Sequence, residues 1–309
     1  RRAGMRLRLP RPRFSPPIRH LLRRMGPGLL GAGVTQLNLT VDVIIASLLP
    51  AGTVSVLYYA DRVNQLPLGT IGVAVGTALL PTLSRQALAG QAGAAIATLN
   101  RALEYALLLT LPAALALLVV GGPIIEVLFH RGAFDAAQVA LTGQALGAYA
   151  VGLPAFVLVK VLVPGFFARG DTAMPVKIGM AVVALNLALN LVFMGPLQHM
   201  GPPLASSVAA WVNVVALAWV LRRRGFLALD AQIIRTVPRM LAAGIAMALV
   251  LYGLEIAVYR PLAAISLLRW AGLAVLVGGG MLVYAAAGQA LGGFDLRAVA
   301  ARLMRRRKA

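Results

Sequence analysis

Eight apolar stretches divide this 309-residue chain, each close to the ~20 residues a helix needs to cross the hydrocarbon core of a bilayer. They cover 27–49, 66–83, 105–121, 139–163, 176–195, 204–221, 240–259 and 267–291. When successive connections are assigned to alternate sides of a membrane, 24 of the 29 Lys and Arg residues fall on the side of the two termini. Arg62, Arg131, Arg260 and Arg269 fall on the other side, and Lys160 lies inside the fourth stretch. Cytoplasmic loops carry the excess of cations, so both termini and the basic loops are expected in the cytoplasm. A wrong helix count would scramble this asymmetry. The fold class expected is therefore an all-α integral membrane protein with eight transmembrane helices.

Composition narrows the function. Hydrophobic residues make up 60% of the chain and charged residues only 12%, too little polar surface for a water-soluble domain of this size. Lipid supplies the apolar solvent instead, and helices satisfy the backbone internally. The net charge of +20 flanks the spans and is not interleaved with aromatic residues, which argues against nucleic acid and for anionic membrane lipids. With no cysteine there is no disulfide, thiolate metal site or Cys nucleophile. His20, His130 and His199 lie in separate connections, so no metal-ligand cluster is expected. No G-x-S-x-G elbow, phosphate loop or H-E-x-x-H motif occurs, and the chain is not expected to be an enzyme or to hold a cofactor.

Outside the spans, residues 1–13 alternate Arg, Pro and apolar residues, the pattern of an extended linker, and "SPPIRHLLRRMG" reads as an interfacial helix. Such an opening is expected of the second part of a longer protein. Residues 84–101 could form another surface helix. Pro81, Pro112, Pro154 and Pro164 are candidates for kinks that open room between helices.

Polar residues at bilayer depth are costly and need a partner or a wet cavity. Asp42 is the deepest carboxylate, and Thr35, Asn38 and Asp42 share one helical stripe. Asn186 and Asn190 share a face of the fifth span; Ser206 and Asn213 share one in the sixth. These oxygen donors suit a Na⁺ ion or protonation at Asp42; hydrogen bonding between helices without an ion is the other reading. Lys160 either snorkels to the inner headgroups or enters a cavity. Glu126 and Glu255 are expected to be solvated at outer span ends. Arg62 follows Asp61 on the side that otherwise avoids cations. Its planar guanidinium suits a two-pronged phosphate contact, against the alternative of a local Asp61–Arg62 turn.

The segment "YYADRVNQLPLGTIGVAVGTALLPTLSR" (58–85) resembles the MurJ (MviN) family, the lipid II flippases of the multidrug/oligosaccharidyl-lipid/polysaccharide exporter superfamily. "TQLNLTVDVIIASLLPAGTVS" (35–55), "PIIEVLFHRGAFD" (123–135) and "FFARGDTAMPVK" (166–177) agree with it in order and spacing. His130 departs from the family, which usually has an acidic residue there. The resemblance is to spans seven to fourteen of fourteen, and implies a linker and interfacial helix at 1–26, a six-helix C-terminal lobe at 27–221 and a cytoplasmic loop at 222–239. Two extra helices forming a lipid-tail groove follow at 240–292, then a basic tail at 293–309.

The first lobe of such a protein would be the chain's missing partner. The implied activity is transport of lipid II from the inner to the outer leaflet of the bacterial cytoplasmic (inner) membrane, for cell wall synthesis and without covalent chemistry. Arg62 matches a cavity arginine that engages the substrate diphosphate, with Asn38, Asp61 and Lys160 as further cavity candidates. Asp42, Asn186, Asn190 and Ser206 resemble a Na⁺ site, although Asn190 stands where an acidic residue is common, which leaves Na⁺ or proton coupling open. Two other functions fit the same pattern: an ion-coupled drug or polysaccharide exporter of the superfamily, and a non-transporting membrane scaffold of a cell-wall complex.

Overall fold

The computed structural model of the protein describes residues 40–41, 43–263 and 265–293, and every regular element among them is helical. A short helical piece at 43–47 leads through a turn into α1 (Thr53–Leu88). Then come α2 (Ala92–Phe129), α3 (Ala136–Phe167) and α4 (Ala173–Leu197), a 3₁₀ turn (Gln198–Met200) and α5 (Gly201–Arg223). The last elements are α6 (Ala231–Leu254), a π-helical turn (Glu255–Tyr259), the short α7 (Arg260–Ala263) and α8 (Ser266–Ala290). By length and composition, five segments can cross a membrane: Ala92–Phe129, Ala136–Phe167, Ala173–Arg223, Ala231–Ala263 and Leu268–Ala290. The third of these holds both α4 and α5, folded back on each other at the 3₁₀ turn. The linker and interfacial helix expected at 1–26, most of the first stretch and most of the basic tail lie outside the described residues.

Several boundaries differ from those expected. α1 starts at Thr53, well before residue 66, so Asp61 and Arg62 are helical and not in a turn. At ~1.5 Å per residue its 36 residues span ~54 Å, far more than a hydrocarbon core, and the helix must project beyond it. The stretch 84–101 is no separate surface helix: its residues finish α1 and begin α2, with only a tight turn between. The connection expected at 222–239 shrinks to residues 224–230. Hydropathy marks only the part of a helix that lipid covers, whereas backbone pairing continues into water.

The helix starts follow local chemistry. Asp135 caps α3 by accepting from the Gln138 amide at 2.8 Å, and Asp230 caps α6 by accepting from the Ile233 amide at 2.9 Å. Asp171 accepts from the amides of Ala173 and Met174 at the start of α4. Gly170 and Gly225 take the left-handed backbone that ends α3 and α5 (φ 76° and 72°). The non-helical residue inside α2 is Val120, three residues before Pro123. Pro123 lacks the amide hydrogen that would bond the Val119 carbonyl, so the bend falls here and not at Pro112.

α3 is the centre of the bundle, packed on α1, α2 and α5. Toward one end, Leu79, Leu83, Leu99, Val161, Phe166 and Leu221 pack together; toward the other, Val56, Leu57, Val63, Ile125, Leu146 and Leu153 do. A third cluster of Val120, Ala243, Met247, Leu251, Tyr259, Leu276 and Tyr284 fastens α6 and α8 to α2. At the α3–α5 crossing a Cβ on Gly152 would lie 2.8 Å from the Ser207 Cα, while Ser207 Oγ donates to the Ala148 carbonyl at 2.7 Å. Only glycine permits so close an approach of two backbones.

α4 inverts the rule of soluble proteins. Of its 25 residues only Asn186 and Asn190 are buried, while Met180, Leu187, Leu191 and Val192 are exposed. Such a helix has its apolar face toward lipid and its polar face toward protein.

At the ends expected to be cytoplasmic, polar contacts close the loops. Arg101 pairs with Glu104 and with Asp230, Gln232 donates to Glu104, and Asn100 donates to the Ala228 carbonyl at 2.8 Å. Arg224 meets Asp171 at 2.5 Å, and Arg169 lies over the Phe226 ring at 4.0 Å. The Ile233 amide, then Arg101, hold the Asp230 carboxyl below its usual value against a small cost of burial. Burial raises Asp171, but the Met174 amide and Arg224 outweigh it, so this carboxyl also sits low. Both therefore stay ionised as caps throughout the neutral range.

Candidate functional site

Arg62 occupies the tenth position of α1, on a stripe with Val54, Tyr58 and Leu66 that the lobe leaves exposed. The next two positions, Val63 and Asn64, are buried, so the helix is amphipathic around this point. The guanidinium lies 4.8 Å from the centroid of the Tyr58 ring, one turn earlier. Its Nη1 reaches Gln65 Oε1 at 3.4 Å, and Gln65 Nε2 donates to Asp61. Gln65 thus stands between Arg62 and Asp61, neighbours whose side chains diverge by about 100° around a helix. Among the described residues Arg62 makes no ion pair, and its donor fork stays open to an anion. Tyr59, beside this stripe, packs on Phe129 and Phe134 and anchors this end of α1 to the lobe.

The asparagine pair is buried where sequence spacing expects it. Asn190 Nδ2 donates to the Asn186 carbonyl at 3.0 Å and to Asn186 Oδ1 at 3.2 Å, which fixes both side chains on one face. Ser206 is buried on α5, against which α4 packs. Near the turn a Cβ on Gly201 would lie 2.9 Å from the Phe193 backbone, which sets the register of the hairpin. Five residues further from the turn on each helix are Ser206 and Ala188, so Ser206 comes level with the middle of the Asn186–Asn190 pair. Asn213 is half-buried two turns away, with its Oδ1 buried and taking no hydrogen bond among the described residues. Asp42 and Asn38, the two residues expected to complete this polar centre, lie outside the described residues.

Lys160 is exposed on α3, and its stem crosses Gly72 of α1. It is more than a helix turn from Arg62, in a separate place along α1.

One polar cluster was not expected from sequence. Glu126 is not simply solvated: its Oε2 accepts from Tyr259 Oη at 3.0 Å, and its Oε1 lies 3.7 Å from Arg269 Nε. Arg269 donates to the Ala263 carbonyl at 2.7 Å and reaches His130 Nδ1 at 3.2 Å. Glu255 is likewise paired, with Arg260 at 3.2 Å. Arg269 and Arg260 are two of the four arginines on the cation-poor side, and each needs a carboxylate there; that scarcity was the available signal. The cluster ties the end of α2 to α8 through the kink at Pro123.

Comparison with known proteins agrees with this architecture. A family model described as "Lipid II flippase MurJ" matches residues 1–271. A protein of Rhizobium meliloti (strain 1021) named probable lipid II flippase MurJ is 40% identical over 298 residues, covering 96% of this chain and 56% of its own length. The similarly named protein of Rhizobium tropici is 40% identical over 312 residues, covering 100% of this chain and 58% of its own. This chain therefore spans a little over half the length of the curated relatives it matches. A solved structure titled "Lipid II flippase MurJ, inward closed conformation" superposes with a TM-score of 0.71 at 24% identity, over 89% of this chain and 55% of that one. The helical architecture, five segments able to span a membrane and these matches together place the chain, a multi-pass bacterial inner-membrane protein, in the MurJ family of lipid II flippases.

Proposed function

We propose that this chain forms the second lobe and the tail-binding helix pair of a flippase that moves lipid II from the inner to the outer leaflet. The observation that carries this reading is Arg62: an exposed residue, steadied by Tyr58 and Gln65, whose guanidinium forms no salt bridge among the described residues. Guanidinium matches a diphosphate in shape and charge, and two parallel N–H donors can bind it at once. An eight-span arrangement with both termini in the cytoplasm, as the distribution of Lys and Arg supports, would put Arg62 toward the outer end of the path. The sugar–diphosphate head would pass through a polar cavity between two lobes, each in turn opening to one side, while the polyprenyl tail stays in lipid. α6 and α8, docked on α2 by a separate apolar cluster, would offer the tail its groove.

Asp42 supplies the negative charge of a coupling site completed by Asn186, Asn190 and Ser206. Amide, hydroxyl and backbone oxygens are the hard donors that a small alkali cation takes, and protonation of Asp42 is the other way to neutralise that charge.

The test is reconstitution in vesicles with fluorescent lipid II. Full-length protein exposes labelled lipid to an external quencher, whereas residues 1–309 alone give only the rate of empty vesicles, because one lobe supplies one wall of a cavity. Flipping by residues 1–309 alone would contradict the two-lobe mechanism. No flipping by the full-length protein would contradict lipid II as its substrate.

A further inference from the structure

Arg269 is the fourth residue of α8, a helix whose first turn carries no acidic residue and whose N-cap, Ile265, makes no side-chain capping bond. A cation there opposes the positive end of the helix dipole and needs a partner from elsewhere. Among the described residues, its partners beyond the Ala263 carbonyl of its own connection both lie at the end of α2. Nη1 reaches His130 Nδ1 at 3.2 Å, and Nε lies 3.7 Å from Glu126 Oε1. A guanidinium can only donate, so His130 Nδ1 must accept, and the contact admits only the neutral imidazole with its hydrogen on Nε2.

The same Nδ1 lies 3.8 Å from Glu126 Oε1, and the His130 side chain is 29% exposed, so a proton can reach it from water. Once protonated, His130 no longer accepts from Arg269, and two cations face each other where a hydrogen bond stood. Glu126, one turn earlier on the same helix, then has a cation of its own helix to pair with in place of Arg269. Proton uptake thus moves an interaction between α2 and α8 into α2 alone. The other charged and titratable groups nearby are committed or turned away. Tyr259 donates to Glu126 Oε2, Glu255 pairs with Arg260, Asp135 caps α3, and Arg131 makes no ion pair among the described residues. Histidine is the side chain whose charge ordinarily changes between about pH 5 and 8.

We propose that His130 is a proton-binding site whose occupation releases the start of α8 from the end of α2. The contact is made at neutral pH and lost as pH falls, because only the unprotonated ring accepts from Arg269. Met247, Leu251, Leu276 and Tyr284 keep the rest of α8 docked, so the opening is local to this end. Release leaves the first turn of α8 with neither a cap nor a counter-ion for Arg269, and that turn frays. On the flippase reading above, α6 and α8 serve the lipid tail, and acid on this side of the membrane loosens the mouth of their groove.

The test is backbone hydrogen exchange over residues 265–275 of the full-length protein in lipid nanodiscs, at about pH 7.5 and about pH 5.5. Rates are corrected for the intrinsic pH dependence of exchange. In the parent the corrected rate is expected to rise about tenfold or more in acid. In His130→Gln, whose side-chain carbonyl accepts from Arg269 at either pH, it is expected to stay at the slow neutral value. An acid response as large in His130→Gln as in the parent would place the titration elsewhere, Glu126 first, and overturn the proposal. A parent rate that does not change between the two pH values overturns it as well. Should His130→Gln not accumulate, or lack protection at neutral pH, Arg269→Gln decides: with no cation to release, equal corrected rates at the two pH values support the proposal, and a persisting acid response overturns it. Exchange is read without substrate, so failure here leaves the flippase reading standing, and failure of lipid II flipping leaves the proton site standing.

Discussion

Arg62→Lys in the full-length protein is expected to fail almost as badly as Arg62→Ala, with each losing roughly a hundredfold in lipid II flipping. A charge-assisted hydrogen bond contributes about 1.5–3 kcal/mol, and loss of the two-pronged contact is worth about 3 kcal/mol, close to two decades of rate. An ammonium at position 62 keeps the charge but loses the planar fork, the contact to Gln65 in its present form and most of the stacking on Tyr58. The measurement is flipping in vesicles at matched protein levels. Rescue by lysine would mean that only charge matters here, and the two-pronged contact would be wrong. Because Arg62 faces away from the buried Val63 and Asn64, neither substitution should unfold the lobe.

Asp42→Asn is expected to abolish ion dependence while leaving the protein inserted. Asp42 is the only formal negative charge among the residues assigned to the coupling site, and without it the amides and Ser206 have no net charge with which to hold a cation. Asn190→Asp is the converse: a second carboxylate at a buried position beside Asn186 should tighten Na⁺ binding, read as a lower Na⁺ concentration for half-maximal transport. A wild-type protein indifferent to Na⁺, together with an Asp42→Asn variant active at every pH, would reduce the cluster to hydrogen bonding between helices.

Helix identity was legible because lipid demands long apolar runs: α2 to α5 each contain the stretch expected of them, α6 with its π-helical turn contains the seventh, and α8 holds all but the last residue of the eighth. Where the helices end was less legible, since α1 runs through Asp61 and Arg62 on backbone pairing that hydropathy does not register. The pairing of Asn186 with Asn190 followed from a spacing of four, and their burial followed from the cost of amides in lipid. The level of Ser206 beside them depended on the hairpin register at Gly201, which no local pattern encodes. Long-range partners were the least visible. Glu126 and Arg269 lie far apart in sequence and meet only because α6 and α8 dock against the kinked end of α2. The crossing of the Lys160 stem over Gly72 was also hidden, since a glycine in a small-residue stretch reads as helix packing until its neighbour is known.

Depletion of the full-length protein from cells that have no second flippase, with lipid II measured on each leaflet, tests whether it carries lipid II across the membrane. Inner-leaflet lipid II is expected to rise several-fold while the outer-leaflet pool and its turnover collapse. Normal turnover of lipid II under full depletion would contradict it.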